Sequence, residues 1–430
     1  MQQAKHDANR SIATILMAGV LLNHLLVNII GKLDYSIILG SFLSCIGLWL
    51  AFRSRNTRLT MISSLNWLAI SIILYLTLVY AVYIFCDPIA GWDARSIWFF
   101  HAKMIYYNQA FSSSAGWNLP SVQFSHIGYP KLVPIMAAQF TYAVGYWNEY
   151  VPKGSLLILL TPMLFASLSF INRKHLSSLY FIIFFFYNFG WWFWNGYMDG
   201  YLALYAAFST LFLGRWLDEK DPLDLTAGIA CLGIIGNLKS EGMLYLLTIT
   251  ACIAAILYLR RKNAPPSITR NIRSAWPLIL FISLGVFLWY GLRWKWGISS
   301  DNPIQLNRIL VRLQEGSLFK ILDALFVKQK VGHAFALFLL AAGIAKMSRT
   351  TINHAVWLPV LTSLFYCIGM VIVYCATSED LSWHLRTSGD RTMLPVLLGI
   401  FAATFSLLSG LEREVPLPSF SQAQKRLGKI

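Results

Sequence analysis

The chain has 430 residues, of which 57% are hydrophobic and 13% charged, against about 25% charged in ordinary soluble domains. That composition excludes a soluble globular protein and indicates an all-α polytopic membrane protein. The formal net charge of +16 would point to nucleic acid in a soluble chain, but here it first has to be read as membrane topology.

In chain order, the opening polar residues run into an apolar stretch to Ile30 with no small-residue cleavage pattern, so a retained first helix is expected. A span needs about 20 apolar residues, and by that measure about twelve spans are expected. They fall near 12–30, 35–52, 61–86, 153–171, 176–194, 200–216, 224–237, 240–259, 275–296, 332–346, 354–375 and 392–410. The apolar piece 129–146 is not counted: it begins Tyr-Pro and contains Pro134 and Gln139, and is expected to lie in or dip into the interface. The whole chain, 1–430, reads as a single transmembrane domain. Within it are N-terminal helices (1–60), a module 61–260 carrying the loop 87–152, and C-terminal helices (261–430) carrying the loop 298–331. The six cysteines show no CxxC spacing and read as small buried hydrophobes.

Charge supports this arrangement. With the N-terminus cytoplasmic, 20 of the 35 basic residues face the cytoplasm, among them Arg10, Arg53, Arg173, Arg215, Arg261 and Lys425. The basic balance is therefore topological, and no nucleic-acid role is inferred. Seven outward-facing basic residues fall in just two segments, 298–331 and 376–391.

The same topology puts the polar motifs on one face. These are GWDARSIWFFHAK with Asp93, NGYMDGY with Asp199, NLKSEG with Lys239 and Glu241, the loop 298–331, and SEDLSWHLRTSGDR with His384 and Arg391. Charged groups at span ends are costly unless they line a wet site or pair with one another, so a shared cavity is expected.

In their order, GWDARSIWFFHAKMIYY, GYPKLVPIMAAQF, WNEYVPK, the turn with Asp199 and WHLRTSGDR resemble the GT-C class of integral-membrane glycosyltransferases. That class includes the protein O-mannosyltransferases and the aminoarabinose transferase of lipid A. The closest likeness is to a bacterial subgroup with WDA, YP and WHL-TS-DR motifs, and it covers about residues 60–410. It implies a GT-C-like fold with juxtamembrane helices in the first large periplasmic loop. It also implies an inner-membrane location, an active site facing the periplasm, and transfer of a sugar from a polyprenyl-phosphate donor. The acceptor is a glycan, lipid or protein, and membrane lipids are the surroundings.

By that resemblance Asp93 is the base or the group orienting the acceptor; the structural alternative is an N-cap for a helix 94–107. Asp199 is a second acidic group, or a turn residue flanked by glycines. Together Asp93 and Asp199 could hold a divalent cation. Arg391 and Lys239 are candidates for the donor phosphate, with Arg95 and Lys103 as weaker ones, because a lipid-phosphate leaving group needs cationic stabilisation. Glu241, Trp92, Trp98 and His384 are candidates for contact with sugar or acceptor. On a regular helix Lys239 and Glu241 would point about 200° apart and would not pair. Likewise, 3.6-residue periodicity puts Arg95, Ser96 and Lys103 on one edge of a helix half in lipid. The loop 298–331 reads as an amphipathic interfacial helix. The rival classes are a lipid-linked glycan ligase or polymerase, a flippase, and a transporter. Charges at span ends rather than mid-span, and the lack of an internal repeat, count against transport.

Overall fold

A computed structural model describes residues 2–52, 67–112, 116–171, 176–261, 266–298 and 305–414. The readings that rest on Arg53, Arg55, Arg58, Arg173, Lys174, Lys262, Lys425, Arg426 and Lys429, on residues 61–66 and on residues 299–304 lie outside the described residues.

The described elements are helical. In order they are α1 (Gln2–Ile30), α2 (Tyr35–Phe52), α3 (Trp67–Cys86), α4 (Phe99–Asn108), α5 (Leu132–Val144), α6 (Gly154–Leu168), α7 (Leu176–Ile182), α8 (Trp191–Trp194), α9 (Asp199–Glu219), α10 (Pro222–Leu238) and α11 (Ser240–Leu259). There follow α12 (Pro266–Lys295), α13 (Leu306–Gln314), α14 (Ser317–Leu322), α15 (Val331–Met347), α16 (His354–Ala376), α17 (Leu381–Thr392) and α18 (Leu394–Glu414). Among the described residues six helices are long and apolar enough to cross a membrane: Ala8–Ile30, Val151–Leu168, Ser240–Leu259, Pro266–Lys295, His354–Ala376 and Leu381–Glu412. A seventh is formed if Ser317–Val327 and Val331–Met347, bent by 60°, count as one. Shorter apolar helical stretches are Tyr35–Leu48, Leu74–Cys86, Leu132–Val144, Ser177–Tyr187 and Pro222–Leu238.

The bundle is organised around α9, whose residues are buried along almost its whole length. It packs against α10, α16 and α18. Lipid offers no hydrophobic drive between helices, so close packing of small residues has to hold them. Gly214 supplies one such contact, since a Cβ there would sit 2.6 Å from the Ala355 backbone of α16. Phe170, Phe181, Phe208, Phe212 and Phe405 interlock beside it, with ring centroids 4.8 to 6.2 Å apart.

Over its 21 residues α9 rises about 31 Å, and each of its ends carries charge. At the Glu219 end Arg10 of α1 meets Asp221 (2.7 Å) and Asp224 (2.8 Å), and Arg215 holds the same Asp224 at 2.8 Å. Asp218 accepts the N–H groups of His354 and Ala355 at 3.1 Å each, which ties the start of α16 to the end of α9. These pairs fasten one end of the bundle, and the second charged cluster forms at the Asp199 end.

The segment 129–146 forms the helix α5, whose 13 residues are too short to span, and it is buried against the protein from Leu132 to Gln139. Gln139 and Asn23 of α1 exchange two hydrogen bonds of 2.8 and 2.9 Å. A buried amide has to find such partners, and pairing on both sides explains how a polar residue sits on a helix packed into the bundle.

Candidate functional site

Four connections converge at the Asp199 end of α9. Asp199 opens that helix after the turn Asn195–Met198, in which Asn195 Oδ1 accepts the Tyr197 N–H at 2.8 Å. The turn requires glycine: Gly196 has φ +87°, and a Cβ there would lie 2.7 Å from the Ala94 Cβ. The two acidic loops therefore touch through a glycine, and Asp93 and Asp199 are held near one another.

Lys239 stands between α10 and α11 with extended backbone, φ −154° and ψ 159°. From there its Nζ reaches Asp199 Oδ1 at 2.7 Å and Glu241 Oε1 at 3.0 Å. The expectation that Lys239 and Glu241 would not pair is overturned, because Lys239 lies outside the helix to which the 200° rotation applies. Burial alone would lower the Lys239 ammonium pKa, but Asp199 and then Glu241 outweigh it and hold it well above the ordinary lysine range. Burial would likewise raise Asp199, but Lys239 and Arg391 hold its carboxyl below the usual carboxylate value. Both groups therefore stay ionised.

Asp93 is not a cap. Its backbone is already helical, φ −63° and ψ −37°, and its side chain makes no capping bond. Its Oδ2 instead accepts from Nη1 of Arg391. The Arg391 Nη2 donates to the Thr387 carbonyl at 2.9 Å, and the guanidinium lies 5.3 Å from the Tyr197 ring centroid. Neighbouring Asp390 is exposed and accepts the backbone N–H of Arg391. The pairing with Asp93 thus replaces the local Asp-Arg pair that the sequence would allow.

Tyr129 joins the two sets. Its ring stacks on Trp98 at 5.4 Å and 11°, and the Lys239 ammonium sits 5.8 Å from its centroid. Burial, and then the charge of Glu241, push its hydroxyl pKa up, so the phenol stays neutral and able to donate a hydrogen bond. Four buried polar atoms around the cluster have no hydrogen-bond partner: Asp199 Oδ2, Glu241 Oε2, Arg391 Nε and Trp98 Nε1. Buried polar atoms are almost always satisfied, so these unmet acceptors and donors make the cluster the candidate ligand site.

Other candidates lie outside this cluster or are already engaged. Arg95 is exposed, while Ser96 is buried and donates to the Trp92 carbonyl at 2.7 Å. The residues Ala94–Trp98 form a π-helical turn, which shifts the phase of the helix, so Arg95, Ser96 and Lys103 do not share an edge. The buried side of α4 is instead Phe99, His101, Ala102 and Ile105. Lys103 is held by Glu149 at 3.8 Å and by the Trp147 ring at 5.7 Å. Trp92 is exposed, whereas Trp98 is buried with one face taken by Tyr129. His384 Nδ1 bonds Thr377 Oγ1 at 3.0 Å, and its ring lies 4.8 Å from Tyr374.

Asp93 and Asp199, the two carboxylates that could together hold a divalent cation, are both engaged. Each carboxylate already has a cation of the protein, and the described residues contain no group of three His, Cys, Asp or Glu side chains able to hold a metal. Glu241 shares the Lys239 ammonium with Asp199, so the position between those two carboxylates is also taken.

Sequence reasoning missed the supports of the site. Lys131, fully buried, donates to the carbonyls of Ile127 and Tyr129 at 2.7 Å and lies between the rings of Trp117 (5.0 Å) and Trp289 (4.7 Å). It thereby fixes the loop that presents Tyr129. Lys153 donates to the Asp87 carbonyl at 2.7 Å and ties the loop before Asp93 to α6. Burial, then the charges of Lys131 and His126, hold His101 well below the ordinary histidine range, and its Nε2 pairs with Ser125 Oγ at 3.1 Å. On the other side, Arg308 and Arg312 of α13 donate to the carbonyls of Ser378 (2.8 Å) and Glu379 (2.9 Å), bracing the connection into α17. The signal for these residues was present as lysines inside YPK and VPK, where a cation beside proline in an apolar context has to find carbonyl or aromatic partners. No protein-family model matches the chain, and neither a curated protein nor a solved structure matches it.

Proposed function

We propose that this chain is a membrane glycosyltransferase that moves a sugar from a polyprenyl-phosphate-linked donor to an acceptor on the non-cytoplasmic face of a bacterial inner membrane. The observation that carries this reading is the meeting of Asp93, Asp199, Lys239, Glu241 and Arg391 from four separate connections at one end of α9. Twelve crossings in a GT-C-like arrangement belong to this proposal, and they require α2, α3, α7, α9 and α10 to cross together with the six or seven helices that are long and apolar enough.

The requirements of the reaction match the groups present. The donor is a phosphodiester whose lipid tail stays in the bilayer while its head enters the cluster. An acceptor hydroxyl oxygen forms a bond to the anomeric carbon as the bond from that carbon to the phosphate oxygen breaks. The hydroxyl proton passes to the Asp93 carboxylate, and the departing lipid phosphate takes the electron pair and a second negative charge. Arg391 and Lys239 lie where that charge develops, and fixed cations in a partly dry site stabilise it far better than water does. Asp199 and Glu241 keep Lys239 charged and in place, and their unmatched oxygens accept hydroxyls of the sugar or acceptor. Trp98 and Tyr129 form the aromatic wall, and His384 lies at its edge. A single displacement of this kind inverts the anomeric centre.

The test uses radiolabelled polyprenyl-phosphate sugar with the purified protein and an envelope extract as acceptor. Label leaving the lipid for a new product supports transfer. Label crossing a sealed vesicle still attached to its lipid supports a flippase, and overturns the proposal.

A further inference from the structure

This inference rests on the transferase reading and concerns how the donor phosphate enters. Within the cluster each cation is already matched. Arg391 pairs with Asp93, and Lys239 with both Asp199 and Glu241, so three carboxylates face two cations and one negative charge is in excess. Neither cation is held in reserve for an anion. The members differ in access: the side chains of Lys239 and Asp199 are 4% and 3% exposed, those of Arg391 and Asp93 14% and 12%, and that of Glu241 20%. Lys239 and Asp199 are the floor of the site, and the arginine pair, with Glu241, is the wall that an entering ligand meets. At that wall Arg391 Nε is buried and without a partner, so the guanidinium has a donor that Asp93 does not satisfy.

We propose that the donor phosphate binds by exchange, taking the place of Asp93 on Arg391 and so releasing the carboxylate oxygen that receives the acceptor's proton. Before exchange Asp93 Oδ2 is occupied by the guanidinium N–H. After exchange it is free, and only when donor is present. The site thus enforces an order, donor before acceptor. Asp93 stays beside the arginine after the exchange, so one singly charged phosphodiester takes the excess of the cluster from one negative charge to two. A diphosphate would bring further negative charge to a cluster that already has a carboxylate in excess, so the geometry selects a monophosphate link.

The test measures binding of a short-chain polyprenyl monophosphate as its methyl ester, a singly charged phosphodiester like the donor, to the purified full-length protein in nanodiscs. Asp93→Asn removes the competitor for Arg391, and affinity is expected to rise about tenfold although transfer is lost. Arg391→Gln is expected to weaken binding about tenfold or more. Wild-type binding of the corresponding diphosphate is expected to be weaker than that of the monophosphate. A second readout needs no variant: carbodiimide labelling of Asp93 in the wild type, read by peptide mass spectrometry, rises when the monophosphate is added. Wild-type binding with unchanged or weakened affinity in Asp93→Asn, or with unchanged labelling of Asp93, overturns the exchange and leaves the transferase reading standing. No binding by the wild type or any variant overturns both.

Discussion

Asp93 and Arg391 lie 298 positions apart in the chain and form an ion pair through Oδ2 and Nη1. The first long polar loop is thereby fastened to the last turn before α18, and the two acidic loops come within reach of the same cations. The pair is partly buried, so neither side chain reaches it without the rest of the fold. Removing one member costs more than the pair contributes, because the other charge is left without a partner.

The same reasoning applies more strongly to Lys239. In Lys239→Met, Asp199 and Glu241 lose their shared cation while Asp199 stays buried, so stability should fall by about 3 to 5 kcal/mol. The double variant Lys239→Met with Asp199→Leu should recover much of that loss. Thermal unfolding in detergent compares the three proteins, and a double variant no more stable than the single one would show that the pairing is not the source of the loss.

The charge states set a pH window. Asp199 has a depressed folded pKa, so its contribution is present above its unfolded value near 3.8 and is lost as pH falls through the folded value. Lys239 has a raised folded pKa, so its contribution is complete below 10.5 and is lost as pH rises through the folded value. The contribution of this pair to the melting temperature should be level from about pH 4 to 10 and fall outside that range. Lys239→Met should lose the alkaline limb of the profile, and an unchanged limb would contradict the assignment.

Gly196→Ala tests the contact that holds the acidic loops together. A residue with a Cβ at φ +87° is strained by about 1 to 3 kcal/mol, and the added carbon would also press on Ala94 and Phe99. Melting temperature and transfer rate should both fall. Gly40→Ala, where nothing lies within 4 Å of the new carbon, should change stability by no more than about 0.5 kcal/mol and serves as the control.

Arg95→Ala and Lys103→Ala should retain transfer within about twofold, since exposed charges and surface ion pairs contribute little. Loss of transfer in either would place a phosphate contact on the outer edge of α4, away from the cluster described above.

What the sequence makes legible is the class of the chain and the positions of the acidic and basic turns, because charge at the end of an apolar run is conspicuous. Side-chain partners are less legible, and the reason is local backbone. The π-helical turn at Ala94–Trp98 changes which residues share a face, and the extended backbone of Lys239 brings Glu241 within reach. Neither leaves a mark in 3.6-residue periodicity. Tyr129 and Lys131 look like boundary residues of an apolar stretch, and their importance comes from Trp98, Trp117 and Trp289, which chain order does not bring near them. Helix α5 reads from its residues as a short apolar stretch at the interface, and its partner Asn23, 116 positions away, leaves no mark in chain order.

The central claim is that bond cleavage at a lipid phosphodiester takes place beside Asp93. Its most direct test is ³¹P NMR of polyprenyl-phosphate sugar in proteoliposomes supplied with envelope extract. With the wild type the phosphodiester resonance should convert to that of a phosphomonoester, and Asp93→Asn should slow the conversion by about a hundredfold or more. A phosphodiester resonance untouched by the wild type, or converted equally fast by Asp93→Asn, would contradict the account.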